Sequence, residues 1–66
     1  MCLLRVYLRN EEDKRRLIAE EVALVSREGD KLRLRDVNFN ETVLSGVDIA
    51  MIDALNSILL IEKRGE

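Results

Sequence analysis

The sequence predicts an all-β fold, a small barrel of roughly five to seven strands. Three observations carry this. Apolar and polar residues alternate with period two in Cys2 to Arg9, in Lys31 to Arg35 and in Val47 to Met51, the signature of half-buried strands. Turn-forming residues recur between these stretches, at Gly29-Asp30, Asn38 and Asn40, Gly46, and Asn56-Ser57. The chain has only 66 residues with 47% hydrophobic content, which bounds it to one domain spanning residues 1–66.

Taken in order, Cys2, Leu4, Val6 and Leu8 share one face of the first strand, and Leu3, Arg5, Tyr7 and Arg9 share the other. Asn10 to Lys14 is a polar, charged break. The next segment, Arg15 to Glu28, has two readings. As a helix it has Asn10 as a cap, acids in the first turn, Gly29 as a stop, and Leu17, Ile18, Val22 and Val25 along one side. Glu21 and Glu28 interrupt that stripe. As strands it splits into Leu17–Glu20 and Val22–Ser26, with Val22 and Leu24 on one face. Arg27-Glu28-Gly29-Asp30 then reads as a tight turn.

Beyond it, Leu32 and Leu34 point inward from a strand whose other face carries Lys31, Arg33 and Arg35. Thr42 to Leu44 is extended, Gly46 marks a bend or bulge, and Val47, Ile49 and Met51 alternate with Asp48 and Ala50. Ile58 to Ile61 is apolar on both faces, which suits a central or interfacial strand. The expected core is Leu4, Val6, Leu8, Val22, Leu24, Leu32, Leu34, Val43, Ile49 and Ile58.

Composition excludes most function classes. Eleven basic residues against 13 acidic ones give a net charge of −2, so nothing draws the whole chain to nucleic acid or an anionic membrane. Tyr7 and Phe39 are its two aromatics, few for stacking bases. No apolar run is long enough to span a bilayer. Arg5 and Arg9 break any signal-peptide core, and a lone thiol fits a reducing cytoplasm. Histidine is absent, which removes catalytic triads. The three glycines are isolated, so no phosphate loop exists. Asp48 and Asp53 are the acids set between apolar residues, and turn or solvent-facing positions account for them. The chain reads as a non-enzyme.

One cysteine and no histidine also exclude an internal disulfide and a one-chain zinc finger. A domain this small balances burial against ordering entropy near zero. Self-association is the remaining route to stability, and a homodimer is expected.

Two candidate sites remain. Lys31, Arg33 and Arg35 share one strand face and suit phosphate contacts in a small RNA-binding module. The plainer reading is a solvated face whose charges block edge aggregation, and nucleic acid is not the expected partner. Cys2 is the other candidate, against the plain reading of a small buried residue. A residue as small as cysteine at position 2 permits removal of Met1. Cys2 then carries an α-amine and a thiol that close a chelate ring on Ni(II) or Cu(II). One chain supplies too few such ligands, and two chains meeting at their N-termini supply two thiolates and two nitrogens.

The start Met1-Cys2-Leu3, the central Glu20-Glu21-Val22, the hairpin Gly29 to Asp36, Gly46, and Ile52-Asp53 with Asn56 to Leu60 resemble the CooT family. The resemblance covers nearly the whole chain, and its specific element is the Met-Cys start. It implies a small homodimer binding Ni(II), about one per dimer, through Cys2, and a link to nickel supply for carbon monoxide dehydrogenase. A nickel-enzyme maturation partner follows from it, with delivery, storage and sensing all open. Related sequences carry an RNA-binding label because their fold resembles Sm-like or SH3-like barrels. The resemblance assigns Arg15–Glu28 to strands and gives an Sm-like or SH3-like homodimeric barrel as the expected fold.

Overall fold

The computed structural model describes residues 3–64. Six strands follow one another in sequence: β1 (Leu4–Arg9), β2 (Arg15–Glu28), β3 (Lys31–Asp36), β4 (Glu41–Ser45), β5 (Val47–Asp53) and β6 (Ile58–Lys63). They form one sheet in the order β4-β3-β2-β1-β6-β5, and no helix occurs among the described residues. All neighbours are antiparallel except β1 and β6.

One face of this sheet is the core. Val6, Val22, Leu32, Leu34, Val47, Leu59 and Ile61 are buried together, with Leu4, Leu8, Ile18, Ala19, Val25 and Leu44 packed on them. Leu32 and Leu34 of β3 share that cluster with Val47 of β5 and with Leu59 and Ile61 of β6, strands well removed from β3 in the sheet order. Such a cluster forms only if the sheet curls so that its two halves face each other.

The curl is built into β2. From Leu4 to Val6 the first strand advances two residues, while β2 uses three, from Val22 back to Ala19. From Val6 to Tyr7 it advances one, while β2 uses two, from Ala19 to Leu17. On the other edge β2 takes two residues, Val22 to Leu24, where β3 takes one, Asp36 to Arg35. These three extra residues all lie on β2, and a fourth lies on β5, where Ile49 to Met51 takes two residues against one on β6, Ile61 to Leu60. Each bulge bends a strand and increases its twist. Glu21, at φ 55°, lies within the first of these irregular stretches. The 14-residue strand therefore wraps, pairing with β1 along its first half and β3 along its second.

The all-β expectation holds, and the barrel is corrected. The sheet is open, with β4 and β5 as its two edges. Closure needs those edges to pair. A single residue, Gly46 at φ 70°, separates Ser45 from Val47, whereas even the tightest common hairpins place two residues between paired strands. Gly46 turns a corner between the two halves instead. Its carbonyl accepts from the Arg64 N–H at 2.8 Å.

Three expected core residues also lie elsewhere. The bulge between Val22 and Leu24 turns Leu24 outward, 41% exposed, and gives its inward place to Val25. Val43 shares the outer face with Arg33, its partner on β3, and Ile49 lies on edge strand β5; they are 49% and 39% exposed. Ile58 is half-buried, and Leu59, Leu60 and Ile61 take the central role. Leu60 is buried on the convex face, opposite Tyr7 on one side and Met51 on the other.

Two loops use the same chemistry. Asn10 Oδ1 accepts from the N–H groups of Glu12 and Lys14 at 2.9 and 3.0 Å, and Asp13 adopts φ 64°. Asp36 Oδ1 accepts from the N–H groups of Asn38 and Asn40 at 2.8 and 3.0 Å, and Phe39 adopts φ 67°. In each, a short polar side chain replaces the ladder for a five-residue reversal. The Asn10–Lys14 segment is thus a turn, not the start of a helix.

Candidate functional site

β1 begins between two neighbours. Leu4 pairs with Val22 of β2, and Arg5 pairs with Ile58 of β6. The Arg5 N–H donates to the Ser57 carbonyl at 3.0 Å. On the β2 side, the Glu21 carbonyl accepts from the Val37 N–H at 3.2 Å. The start of β1 therefore lies between the Asp36–Asn40 turn and the Asp53–Ser57 turn. These two turns and the end of β5 hold conspicuous exposed apolar side chains: Val37, Phe39 at 78%, Ile52, and Leu55 at 93%.

Cys2, the expected metal ligand, precedes Leu3 and lies outside the described residues. Among the described residues no three acids gather as a metal-holding cluster. Asp53 is committed to its turn. Asn56 donates from its side-chain amide at 3.0 Å and its N–H at 3.1 Å, and these bonds hold the Asp53 carboxyl below its usual range. Asp48 is committed to Arg64, whose guanidinium lowers its titration.

Arg64 is a strap. It donates to Asp48 on β5, to Asp30 in the β2–β3 hairpin, and to the Val47 carbonyl at 3.3 Å. Arg27 of β2 donates to that same carbonyl at 3.0 Å. These groups join the two halves of the curled sheet where backbone pairing is absent. Sequence reading missed this strap because its members are far apart in the chain.

The Lys31, Arg33, Arg35 face is as expected in geometry and different in charge. Arg35 donates to Glu41 from Nε at 3.0 Å and Nη2 at 2.7 Å. Arg33 pairs with Glu28 at 3.0 Å and approaches Glu41 at 3.8 Å. The Arg35 bond holds Glu41 below the usual carboxylate range. Of the three cations only Lys31 has no ion pair among the described residues. The stripe is an ion-pair network rather than a bare basic surface.

A family model described as CooT, CO dehydrogenase accessory protein, matches residues 1–62. The chain is similar in structure to a crystal structure described as a CooT, from Carboxydothermus hydrogenoformans, with a TM-score of 0.85 and 20% identity. That match covers 97% of this chain and 100% of the other, and at this identity it speaks to the fold. Among curated proteins no sequence match is found.

Proposed function

The chain belongs to the CooT family of CO dehydrogenase accessory proteins, and from that premise we propose that it binds Ni(II) as cargo through the thiolate of Cys2, at the junction of two copies of itself. The observation that carries the reading is that the family match begins at residue 1 and so takes in Met1-Cys2. An accessory protein, as the family is described, is not itself an enzyme.

The chemistry follows from what the chain offers. With no histidine in the sequence and no acid cluster among the described residues, nickel has a thiolate and N-terminal backbone nitrogens to bind. Such in-plane sulfur and nitrogen donors suit Ni(II). One copy supplies too few, and a twofold pair supplies two of each, giving about one ion per dimer. The exposed apolar residues in the turns and strand end around the start of β1 support the pairing, since a second copy meeting there covers them. Coordination must release protons, because an ordinary thiol titrates near about 8.5 and must ionise to bind.

Calorimetry against nickel, zinc, copper and cobalt tests this with native-start, N-terminally tagged and Cys2→Ser protein. The expected result is nickel preference, about one ion per two chains, lost in Cys2→Ser with the fold intact, and weaker as pH falls. The tag weakens binding if the α-amine is a ligand. Sedimentation should give a dimer at micromolar concentration. Zinc preference, or binding that survives Cys2→Ser, overturns the reading.

A further inference from the structure

At the end of β1 remote from Leu4, the Asn10–Lys14 turn, the start of β2 and the end of β6 enclose an open groove of about 810 Å³. Leu8 contributes to its floor, and its charged lining is six basic residues against three acidic ones, on a chain whose net charge is −2. Three of these cations are committed: Arg9 to Glu62, Arg64 to Asp48 and Asp30, and Lys14 to Glu12 at 3.8 Å. Arg15, Arg16 and Lys63 are exposed and have no ion pair or side-chain hydrogen bond among the described residues.

The placement of Arg15 is unfavourable for the isolated fold. Arg15 lies directly opposite Arg9 in the β1–β2 ladder, and like charges in that relation destabilise a sheet. Among the other strand arginines, Arg27, Arg33 and Arg35 are matched to carboxylates, while Arg5 on β1 has no ion pair among the described residues. An anion from outside resolves the mismatch. Guanidinium groups suit carboxylate and phosphate, which they bind with paired hydrogen bonds. The lining chooses between these. Three carboxylates are interleaved in it, and no aromatic residue is present to stack a base. A continuous phosphate backbone meets repulsion there, whereas a polypeptide can place its acids selectively.

We propose that this groove is a binding site for an acidic polypeptide segment of another protein, held by Arg15, Arg16 and Lys63. It is separate from the start of β1, since the five residue steps from Leu4 to Arg9 span about 17 Å. The groove and the nickel reading therefore stand or fall apart.

The test titrates full-length protein at low salt with a short Glu/Asp-rich peptide, its Gln/Asn counterpart, inorganic pyrophosphate and a single-stranded RNA oligonucleotide. Backbone amide shifts report the site and calorimetry the affinity. The acidic peptide should perturb Lys14 to Arg16 and Lys63, bind more weakly as salt rises, and outcompete its amide counterpart. Arg15→Gln with Arg16→Gln should weaken it about tenfold or more. Arg33→Gln and Cys2→Ser should leave it unchanged, and the double variant should bind nickel as the parent does. No peptide binding at low salt, unaltered binding by the double variant, pyrophosphate binding without peptide binding, or RNA binding tighter than the peptide each overturns the proposal. So does salt-sensitive self-association lost in the double variant, which assigns the groove to a second copy.

Discussion

Arg35 gives both Nε, at 3.0 Å, and Nη2, at 2.7 Å, to a single oxygen of Glu41. The pair spans β3 and β4, whose residues 35 and 41 are register partners. Charge that neutralises a neighbour on its own sheet is not offered to a phosphate. Replacing Lys31, Arg33 and Arg35 together by alanine is therefore expected to leave the mobility of an RNA oligonucleotide unchanged at low salt. Tight RNA binding abolished by that triple change would restore the nucleic-acid reading.

Core substitutions should follow burial in the curled sheet rather than hydrophobicity in the sequence. Leu32 and Ile61 are fully enclosed, so Leu32→Ala should cost about 2–5 kcal/mol and Ile61→Val about 0.5–1.5 kcal/mol. Leu55→Ala, at an exposed turn, should lower the denaturation midpoint far less than Leu32→Ala. Urea unfolding read by circular dichroism measures all three, and equal losses at Leu32 and Leu55 would contradict the packing described.

Ser57 holds φ 58° and Gly46 φ 70°. A side chain in this left-handed region costs roughly 1–2 kcal/mol. Ser57→Gly should therefore raise the melting temperature, and Gly46→Ala should lower it. Space is not the issue at Gly46, since an added Cβ meets nothing within 4 Å. An unchanged melting temperature in Gly46→Ala would show that the corner does not depend on that conformation.

Acid should unfold the protein through its turn and strap carboxylates. Bonds from Arg64 lower Asp30 and Asp48, the Arg35 bond lowers Glu41, and Asn56 lowers Asp53. At Asp36 burial pulls upward, but the N–H groups of Asn40 and Asn38 prevail and the net shift is down. A carboxyl whose folded value lies below its unfolded one stabilises the fold above about pH 4 and loses that contribution as pH falls through the folded value. Stability measured by urea midpoint should be level from neutral pH to about pH 5 and then fall. Arg64→Gln should flatten that fall, and a pH profile identical to the parent would exclude the strap as its source.

The strands were legible where alternation was unbroken. Lys31–Arg35 reads as a strand because no bulge interrupts its pairing with β4. The apolar-on-both-faces run of Ile58 to Ile61 reads as central, and β6 does lie between β1 and β5. Arg15–Glu28 was ambiguous for a physical reason. Ala19, Val22 and Val25 point inward at three-residue spacing, which imitates helical period but arises from bulges. Closure was illegible because it depends on whether β4 can pair with β5, and that turns on a single intervening residue. The same distinction applies to sites. The Lys31–Arg35 stripe is visible in sequence, but its neutralisation by Glu28 and Glu41 needs register. The cations of the groove are partly visible in the Lys14-Arg15-Arg16 run, while Lys63 joins them only through the parallel pairing of β1 with β6.

The surplus residues of β2 make its length a matter of parity. In an ordinary strand an inserted or deleted residue exchanges inside for outside from that point on. In β2 three such exchanges are already present, and the sequence on either side is written to suit them. Removing Ala23 would cancel one of them: the pairs Val22–Asp36, Leu24–Arg35 and Val25–Leu34 would become consecutive, with Leu24 still out and Val25 still in, and the strand would lose that bend. Homologues that have lost a residue at one of these bulges are thus expected to need no compensating gain, whereas a loss within the regularly paired residues 25–28 should be matched by a gain in the same strand.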